Sequence, residues 1–323
     1  MSGHNAIRIG IIGAARVAVY AMLGPAQDNA RAIVTAVAAR DPARGRAFGE
    51  THGIARVHES YEALIGDQAI DLVYVATPPT LHASVAIKAL QAGKHVLVEK
   101  PFAANAAEAR AILDAARAVG RRVFEAFHYR HHRLWGRIVE IVRSGALGRL
   151  KMIEAGFHVP IAKSADEFRW NPRLGGGALM DLGCYALQWA RVVADKEPAV
   201  VSARMRMVDG VDAETEAVLR FPGGVEGRVS CGMEGEAFRA FLNVEGARGR
   251  LRVTNPLAPQ FGHALETEID GTVRSETVEG PSTFASQLGA VVAALLDGAS
   301  FPLAEDDPVK SMAAIDAVRA AVR

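Results

Sequence analysis

The chain has 323 residues, and 50% of them are hydrophobic, which is enough apolar material for two domains with separate cores. Its 37 Lys and Arg residues against 36 Asp and Glu residues leave no positive excess for binding nucleic acid. Two cysteines make no disulfide framework, no basic segment precedes the apolar run 6–12, and no run is long enough for a membrane span. We therefore predict a cytoplasmic protein that does not bind membranes.

The first 126 residues alternate short apolar runs with helical segments. Pro42, Thr80 and Asn105 stand where helices are expected to begin. This alternation predicts an α/β domain over 1–126, with a doubly wound parallel sheet covered by helices on both faces. Ligands bind beyond the carboxyl ends of such strands, so functional residues are expected directly after each run. The predicted strands are 7–12, 34–39, 71–76, 95–98 and 123–127.

The pattern changes in the rest of the chain. Alternating polar and apolar residues punctuated by turn residues predict an α+β domain over 127–323 with an open, mainly antiparallel sheet. Two helices, 283–296 and 307–322, close the chain. The apolar runs 217–219 and 241–244 predict an exposed sheet face through which a homodimer or homotetramer forms. The predicted strands here include 200–208, 216–221, 226–232, 238–245 and 249–253.

Small residues occupy the turn after the first predicted strand. Gly13, Ala14 and Ala15 are followed by Arg16 and Val17, which open a helix. Small side chains at such a turn let backbone N–H groups approach a pyrophosphate at the helix N-terminus. A strand before and a helix after the turn predict a Rossmann dinucleotide site, although Ala15 replaces the usual second glycine.

The end of the second strand indicates which dinucleotide binds. A carboxylate there bonds the ribose 2′-hydroxyl of NAD and repels a 2′-phosphate, whereas this chain has Ala39 and Arg40. Arg40 can take the 2′-phosphate, so we predict NADP(H) in preference to NAD(H). The alternative is that Arg40 is an ordinary solvated charge and that Asp41 reaches the ribose.

Five segments in order resemble the Gfo/Idh/MocA oxidoreductase family, and the resemblance runs from residue 7 to about 321. Tyr185 stands where most members have His, which resembles the subgroup of glucose-fructose oxidoreductase, dimeric dihydrodiol dehydrogenase and NADP-dependent D-xylose dehydrogenase. The segments are GIIGAARVA at 10–18, VATPPTLH at 75–82, VEKP at 98–101, EAFHYRHH at 125–132 and GGGALMDLGCY at 175–185.

The resemblance implies the catalytic residues. Glu99 and Lys100 lie in the family's Glu-Lys-Pro signature, often with a cis peptide bond, and Lys100 would face the nicotinamide and the substrate. Tyr185 would be the general acid and base for the alcohol or carbonyl proton. Asp181 would bind substrate hydroxyls or hold the network. A tyrosine phenol ordinarily has a pKa of about 10, and a nearby lysine ammonium would favour its phenolate.

The resemblance also implies cofactor-side roles for Thr77, Pro78, His82 and Arg169. Trp170 either lines the pocket or packs in the core. The histidines of segment 128–132 could suggest a metal site, but no second group of ligands completes a set, so we predict none.

The predicted function is reversible hydride transfer between NADP(H) and a CH–OH or C=O carbon of a sugar, polyol or cyclic diol. Two alternatives stay open. One is a non-catalytic, NADP-sensing regulator of the same fold, against which the joint presence of Lys100, Asp181 and Tyr185 argues. The other is an NAD-dependent glycosidase that uses a transient oxidation, which the segment 175–185 fits less well.

Overall fold

The computed structural model describes residues 6–164 and 166–322, which form two compact units. The first comprises residues up to His131 together with Thr283–Pro308, and the second comprises His132–Ser282 and the chain from Val309 onward. The division predicted at 126/127 differs from these units in two elements, the 3₁₀-helix His128–His131 and the helix Thr283–Leu296, which both belong to the first unit. The apolar face of the second of these helices, which includes Leu288 and Val291, is buried in the same core as the strand Ile7–Ile12.

The first unit contains a six-stranded parallel sheet in the order β3-β2-β1-β4-β5-β6. This order reverses at β1, so the predicted doubly wound Rossmann architecture is confirmed. The sequence prediction missed β3, because three half-buried residues make no apolar run. The strands are β1 (Ile7–Ile12), β2 (Ala32–Ala38), β3 (Arg56–His58), β4 (Leu72–Val75), β5 (His95–Val98) and β6 (Val123–Glu125).

Helices cover this sheet, and Asp41, Ser60 and Asn105 cap three of them with side-chain hydrogen bonds. Thr80 is not a cap, since the helix already begins at Pro79, whose fixed φ suits the first turn. The helical segments are Arg16–Ala18, the π-helix Val19–Leu23, Gly24–Gln27, Pro42–His52, Tyr61–Gly66, Pro79–Gln91, Ala106–Ala118, the 3₁₀-helix His128–His131 and Thr283–Leu296.

The second unit is built on an eight-stranded sheet in the order β14-β13-β12-β11-β7-β10-β9-β8. All neighbours are antiparallel except β7 and β10, so the predicted open, mainly antiparallel sheet is confirmed. The strands are β7 (Leu150–His158), β8 (Ala199–Val208), β9 (Val211–Arg220), β10 (Glu226–Gly232), β11 (Arg239–Gly246), β12 (Gly249–Thr254), β13 (Ala264–Ile269) and β14 (Thr272–Glu276).

The long helices of the second unit are Arg133–Arg143, Cys184–Ala194 and most of Asp307–Ala320, and the last one bears out the prediction for 307–322. The π-helix Leu179–Gly183 leads directly into Cys184–Ala194. Short 3₁₀-helices cover Phe168–Trp170, Pro172–Leu174 and Pro259–Phe261. Among the described residues, no helix has the length and apolar character that a membrane crossing requires.

The open face of the second sheet is not the apolar surface expected from 217–219 and 241–244. Alternate residues of these runs, such as Leu219 and Leu242, are fully buried on the core side, because successive side chains of a strand point to opposite faces. The other face carries cross-strand ion pairs, with partly exposed Val218 and Phe241 between them. The pairs include Arg206–Glu214 at 3.1 Å, Arg252–Glu266 at 3.9 Å and Arg250–Glu268.

The first unit should lose stability in mild acid. His95, at the start of β5, accepts a hydrogen bond at Nδ1 from the Arg122 N–H at 3.0 Å. Burial, with the charges of Arg121 and Arg122, lowers the pKa of His95 from 6.5 to about 4. The folded state therefore favours the neutral ring. Its contribution to stability is present above pH 6.5 and is lost as the pH falls through about 4.

We expect the Tm measured by calorimetry to fall between these two pH values, and the His95→Asn variant to lose part of that fall. An asparagine oxygen can accept from the Arg122 N–H without titrating. The exposed His52→Asn variant is the control and should keep the wild-type pH profile. An unchanged profile in the His95 variant would contradict the assignment.

Candidate active site

The turn after β1 brings the backbone of Gly13 against the end of β4. Gly13 has a φ of +108°, and a Cβ there would collide with the carbonyl group of Ala76. Its N–H donates to the Ala38 carbonyl at 2.8 Å. Ala14, Ala15 and Val17 are partly exposed, Arg16 is exposed, and the helix begins at Arg16 without a side-chain cap. Only glycine allows this close approach, and the small, accessible turn fits the predicted pyrophosphate site.

The end of β2 presents Arg40 to solvent, while Ala39 is buried. The Asp41 carboxylate accepts a hydrogen bond from the Ala43 N–H at 2.9 Å and so caps the next helix. An Asp41 side chain that bound the ribose, the alternative considered above, would have to give up this cap. Burial raises the pKa of the Tyr61 phenol, and the charge of Arg40 opposes that rise, so the two side chains are neighbours. Sequence reasoning missed Tyr61 because it missed β3, the strand that precedes it.

Thr77 and His82 lie in the segment after β4. The Thr77 hydroxyl oxygen is buried and has no hydrogen-bond partner among the described residues, which suits it to a bound ligand. His82 is 1% exposed, with Nε2 2.8 Å from the Thr77 carbonyl and Nδ1 2.9 Å from the Pro101 carbonyl. Burial lowers its pKa to about 4. His82 thus lies between the loop of Thr77 and Pro78 and the Glu-Lys-Pro loop, and its neutral ring donates one of these two hydrogen bonds.

The loop after β5 holds Glu99 in a fixed position. The Tyr74 hydroxyl donates to Glu99 Oε1 at 2.5 Å, and the Lys100 N–H donates to Oε2 at 3.2 Å. The Lys100–Pro101 peptide bond is cis, as the resemblance implies. Glu99 is buried, whereas Lys100 is partly exposed. The carboxylate therefore shapes the loop that presents Lys100.

His128 is a neighbour of Lys100 that sequence reasoning considered only as a metal ligand. Burial, aided by the positive charge of Lys100, lowers its pKa to about 3, so its ring is neutral near pH 7. Its Nδ1 lies 2.8 Å from the Thr283 hydroxyl, and the ring stacks on Phe284 at 4.0 Å. In residues 6–164 and 166–322 no three His, Cys, Asp or Glu side chains are placed to hold a metal ion.

The second unit holds Asp181 and Tyr185 on one continuous helical segment. Asp181 lies in the π-helix and Tyr185 in the α-helix that follows, so the i, i+4 rule of a regular α-helix does not place them. Arg169 Nε contacts Asp181 Oδ2 at 2.8 Å, and its Nη1 contacts Glu167 at 3.1 Å. Arg169, which was predicted to bind the cofactor, therefore forms an ion pair with Asp181, which was predicted to be catalytic.

A buried carboxylate fixes the start of this helical segment. Asp212 Oδ2 accepts from the Leu179 N–H and from the Thr215 hydroxyl, both at 2.7 Å. Burial raises the pKa of Asp212 above its ordinary value. Gly177 has a φ of +119°, and a Cβ there would collide with Asp212 Oδ1. Sequence reasoning missed Asp212, although an acidic residue within an apolar strand pattern is a signal for such a contact.

A family model described as "Oxidoreductase family, NAD-binding Rossmann fold" matches residues 7–127, and the GFO/IDH/MocA C-terminal domain matches residues 135–252.

Two curated relatives and one solved structure resemble most of the chain. A dTDP-3,4-didehydro-2,6-dideoxy-alpha-D-glucose 3-reductase from Streptomyces violaceoruber is 38% identical, over 84% of this chain and 81% of the relative. A D-xylose 1-dehydrogenase (NADP(+)) from Haloferax volcanii is 33% identical, over 96% and 95%. A crystal structure of a 3-ketoreductase from Actinomadura kijaniata, in complex with NADP and TDP-benzene, aligns with a TM-score of 0.91 and 29% identity, over 99% and 98%.

The family models together match more than half of the chain, and these relatives are named as reductases and dehydrogenases. The chain belongs to the Gfo/Idh/MocA oxidoreductase family and is an NAD(P)-dependent dehydrogenase or reductase.

Proposed function

We propose that this protein transfers a hydride between NADP(H) and a carbon bearing a hydroxyl or carbonyl group in a sugar, polyol or cyclic diol. The observation that carries the proposal is the loop of Glu99 and Lys100, held beside neutral His82 and His128 at the carboxyl edge of a dinucleotide-binding sheet. The relatives named as a D-xylose 1-dehydrogenase and a dTDP-3,4-didehydro-2,6-dideoxy-alpha-D-glucose 3-reductase support this class of substrate.

Lys100, Tyr185 and Asp181 each have a separate role in the proposed reaction. When bound, NADP(H) supplies or accepts the hydride. Lys100 orients the substrate oxygen and stabilises the negative charge that develops there. During reduction this oxygen takes a proton from the Tyr185 phenol, and during oxidation it returns a proton to Tyr185. Asp181, held by Arg169, accepts a hydrogen bond from a neighbouring substrate hydroxyl.

Replacing Lys100 tests this assignment. The Lys100→Ala variant should lose about 10²- to 10³-fold in kcat, the usual cost of removing a group that stabilises developing negative charge, and should still bind NADPH. Tyr185→Phe keeps the ring and should lose a comparable factor. The matched control is Lys88→Ala, which removes an exposed lysine paired with Glu62. Rates are measured with D-xylose and NADP⁺, and full activity of Lys100→Ala would defeat the assignment.

The same assays separate the two alternatives. A wild-type protein that binds NADPH but turns over no aldose, polyol or diol would be a regulator. Release of free sugar from a glycoside without net NADPH formation would identify a glycosidase.

The preference for NADP(H) over NAD(H) is part of the proposal and rests on Arg40. A charge-assisted hydrogen bond to the 2′-phosphate contributes about 1.5–3 kcal/mol, or roughly ten- to a hundredfold in affinity. Arg40→Ala should therefore raise the Kd of NADPH by that factor and leave the Kd of NADH unchanged, as measured by fluorescence titration. Arg110→Ala, at an exposed helix position, is the control. Equal affinities of the wild type for NADPH and NADH would contradict the preference.

We further propose a homodimer or homotetramer that forms through the open face of the second sheet. The Phe241 ring lies directly over Gly156 at the middle of this face, where a Cβ would collide with it. Light scattering should give two or four chains for the wild type and fewer for Phe241→Glu. Val119→Glu, at an exposed helix end of the first unit, should leave the mass unchanged. A single-chain mass for the wild type would refute this.

A cytoplasmic location completes the proposal. Cys184 and Cys231 are both buried thiols, which suits a reducing compartment.

A further inference from the structure

Phe238 is an exposed aromatic residue in the loop that joins β10 to β11. Half of its surface, 50%, is accessible. A single exposed apolar side chain is ordinary in folded proteins and by itself indicates nothing. What distinguishes Phe238 is the set of groups that hold it.

The exposed ring packs against a buried ring that in turn packs against the predicted proton donor. Phe238 contacts Phe157 edge to face, with ring centroids 5.6 Å apart. Phe157 is 4% exposed and contacts the Tyr185 ring edge to face at 5.7 Å. One buried ring therefore separates the exposed face of Phe238 from Tyr185 and fixes the distance between them.

Backbone hydrogen bonds place the loop of Phe238 beside the other residues near Tyr185. The Ile161 N–H donates to the Met233 carbonyl at 2.8 Å, and Trp170 Nε1 donates to the Ile161 carbonyl at 2.9 Å. The Gly177 N–H donates to the carbonyl of Arg169 at 2.9 Å. The loop before Phe238, the segment of Arg169 and Trp170, and the glycine turn that precedes Asp181 are thus one connected structure.

We propose that Phe238 is a stacking platform for a ring of the substrate, so that the enzyme selects ring-shaped substrates over open-chain ones. This inference rests on the proposed function and names the class of substrate. Sugar and polyol hydroxyls satisfy the polar groups of a pocket, but a ring also has a flat face that needs an apolar surface, and aromatic side chains supply such surfaces in ligand sites. The ring is either the sugar itself or the base of a sugar nucleotide, since both present a flat face.

Stacking on an aromatic side chain gives a measurable binding increment. Stacking of a base contributes a factor of roughly 5 to 100 in affinity, and the loss of this factor is expected for Phe238→Ala. Phe238→Trp keeps an aromatic face and should restore binding. Phe261→Ala is the matched control, because Phe261 is 83% exposed in the same unit but belongs to the separate helix Pro259–Phe261.

The experiment measures KM for D-xylose and for open-chain glyceraldehyde, and the inhibition constant of dTDP, for the wild type and the three variants. We expect Phe238→Ala to raise the KM of D-xylose or the inhibition constant of dTDP by the stated factor, with the KM of glyceraldehyde unchanged. A change for D-xylose alone identifies the sugar ring as the partner of Phe238, and a change for dTDP alone identifies the base.

Two results would overturn the inference and leave the proposed function intact. One is a Phe238→Ala variant that matches the wild type with both D-xylose and dTDP. The other is an equal loss for D-xylose and glyceraldehyde, which would mean that Phe238 supports the fold of the site and does not select rings. The proposed function itself would fail on a different result, namely a wild-type protein that turns over no carbonyl or alcohol substrate.

Discussion

The parallel register of β1, β4, β5 and β6 is the constraint on which the ligand-facing part of the first unit depends. Ile12 lies opposite Val75, Val75 opposite Val98, and Val98 opposite Glu125. The pairing continues one residue beyond the strands, since the N–H groups of the residues after β4, β5 and β6 donate to neighbouring carbonyls at 2.8 to 3.0 Å. The turn after β1, the loop of Thr77, the Glu-Lys-Pro loop and the His128 segment therefore emerge side by side.

In the second unit the buried carboxylate of Asp212 positions the helical segment that carries Asp181 and Tyr185. Burying a carboxylate costs free energy unless hydrogen bonds replace its lost water. Asp212 receives two such bonds, and one of them comes from the Leu179 N–H at the start of the helical segment of Asp181 and Tyr185. The positive φ of Gly177 and its missing Cβ make room for this carboxylate. Packing against Asp212 thus requires glycine at position 177, and the neighbouring Gly176 is required by the Arg169 carbonyl, with which a Cβ would collide.

The sequence predicted those features that are local. The apolar runs that became β1, β4 and β5 are continuous, and the residues after them were identified because parallel strands end at one edge. Features that depend on distant partners were missed. Strand β3 is too short to show a pattern, so Tyr61 was not connected with Arg40. The exposed apolar face predicted for the second sheet was wrong, because alternation assigns the apolar side of each run to the core. The partner of Asp212 was missed because the Leu179 N–H lies 33 residues away along the chain.

The contacts of Arg169 differ from the role that the family resemblance implies for it. The resemblance assigns it to the cofactor, while its guanidinium contacts Asp181 and Glu167. Removing one partner of a largely buried ion pair leaves the other charge without compensation, and that penalty commonly exceeds the net contribution of the pair. Any substitution of Arg169 therefore acts first on the orientation of Asp181, a residue on the same helical segment as Tyr185. A loss of turnover in such a variant would therefore reflect the displacement of Asp181 from the substrate, even where the affinity for the cofactor also changes.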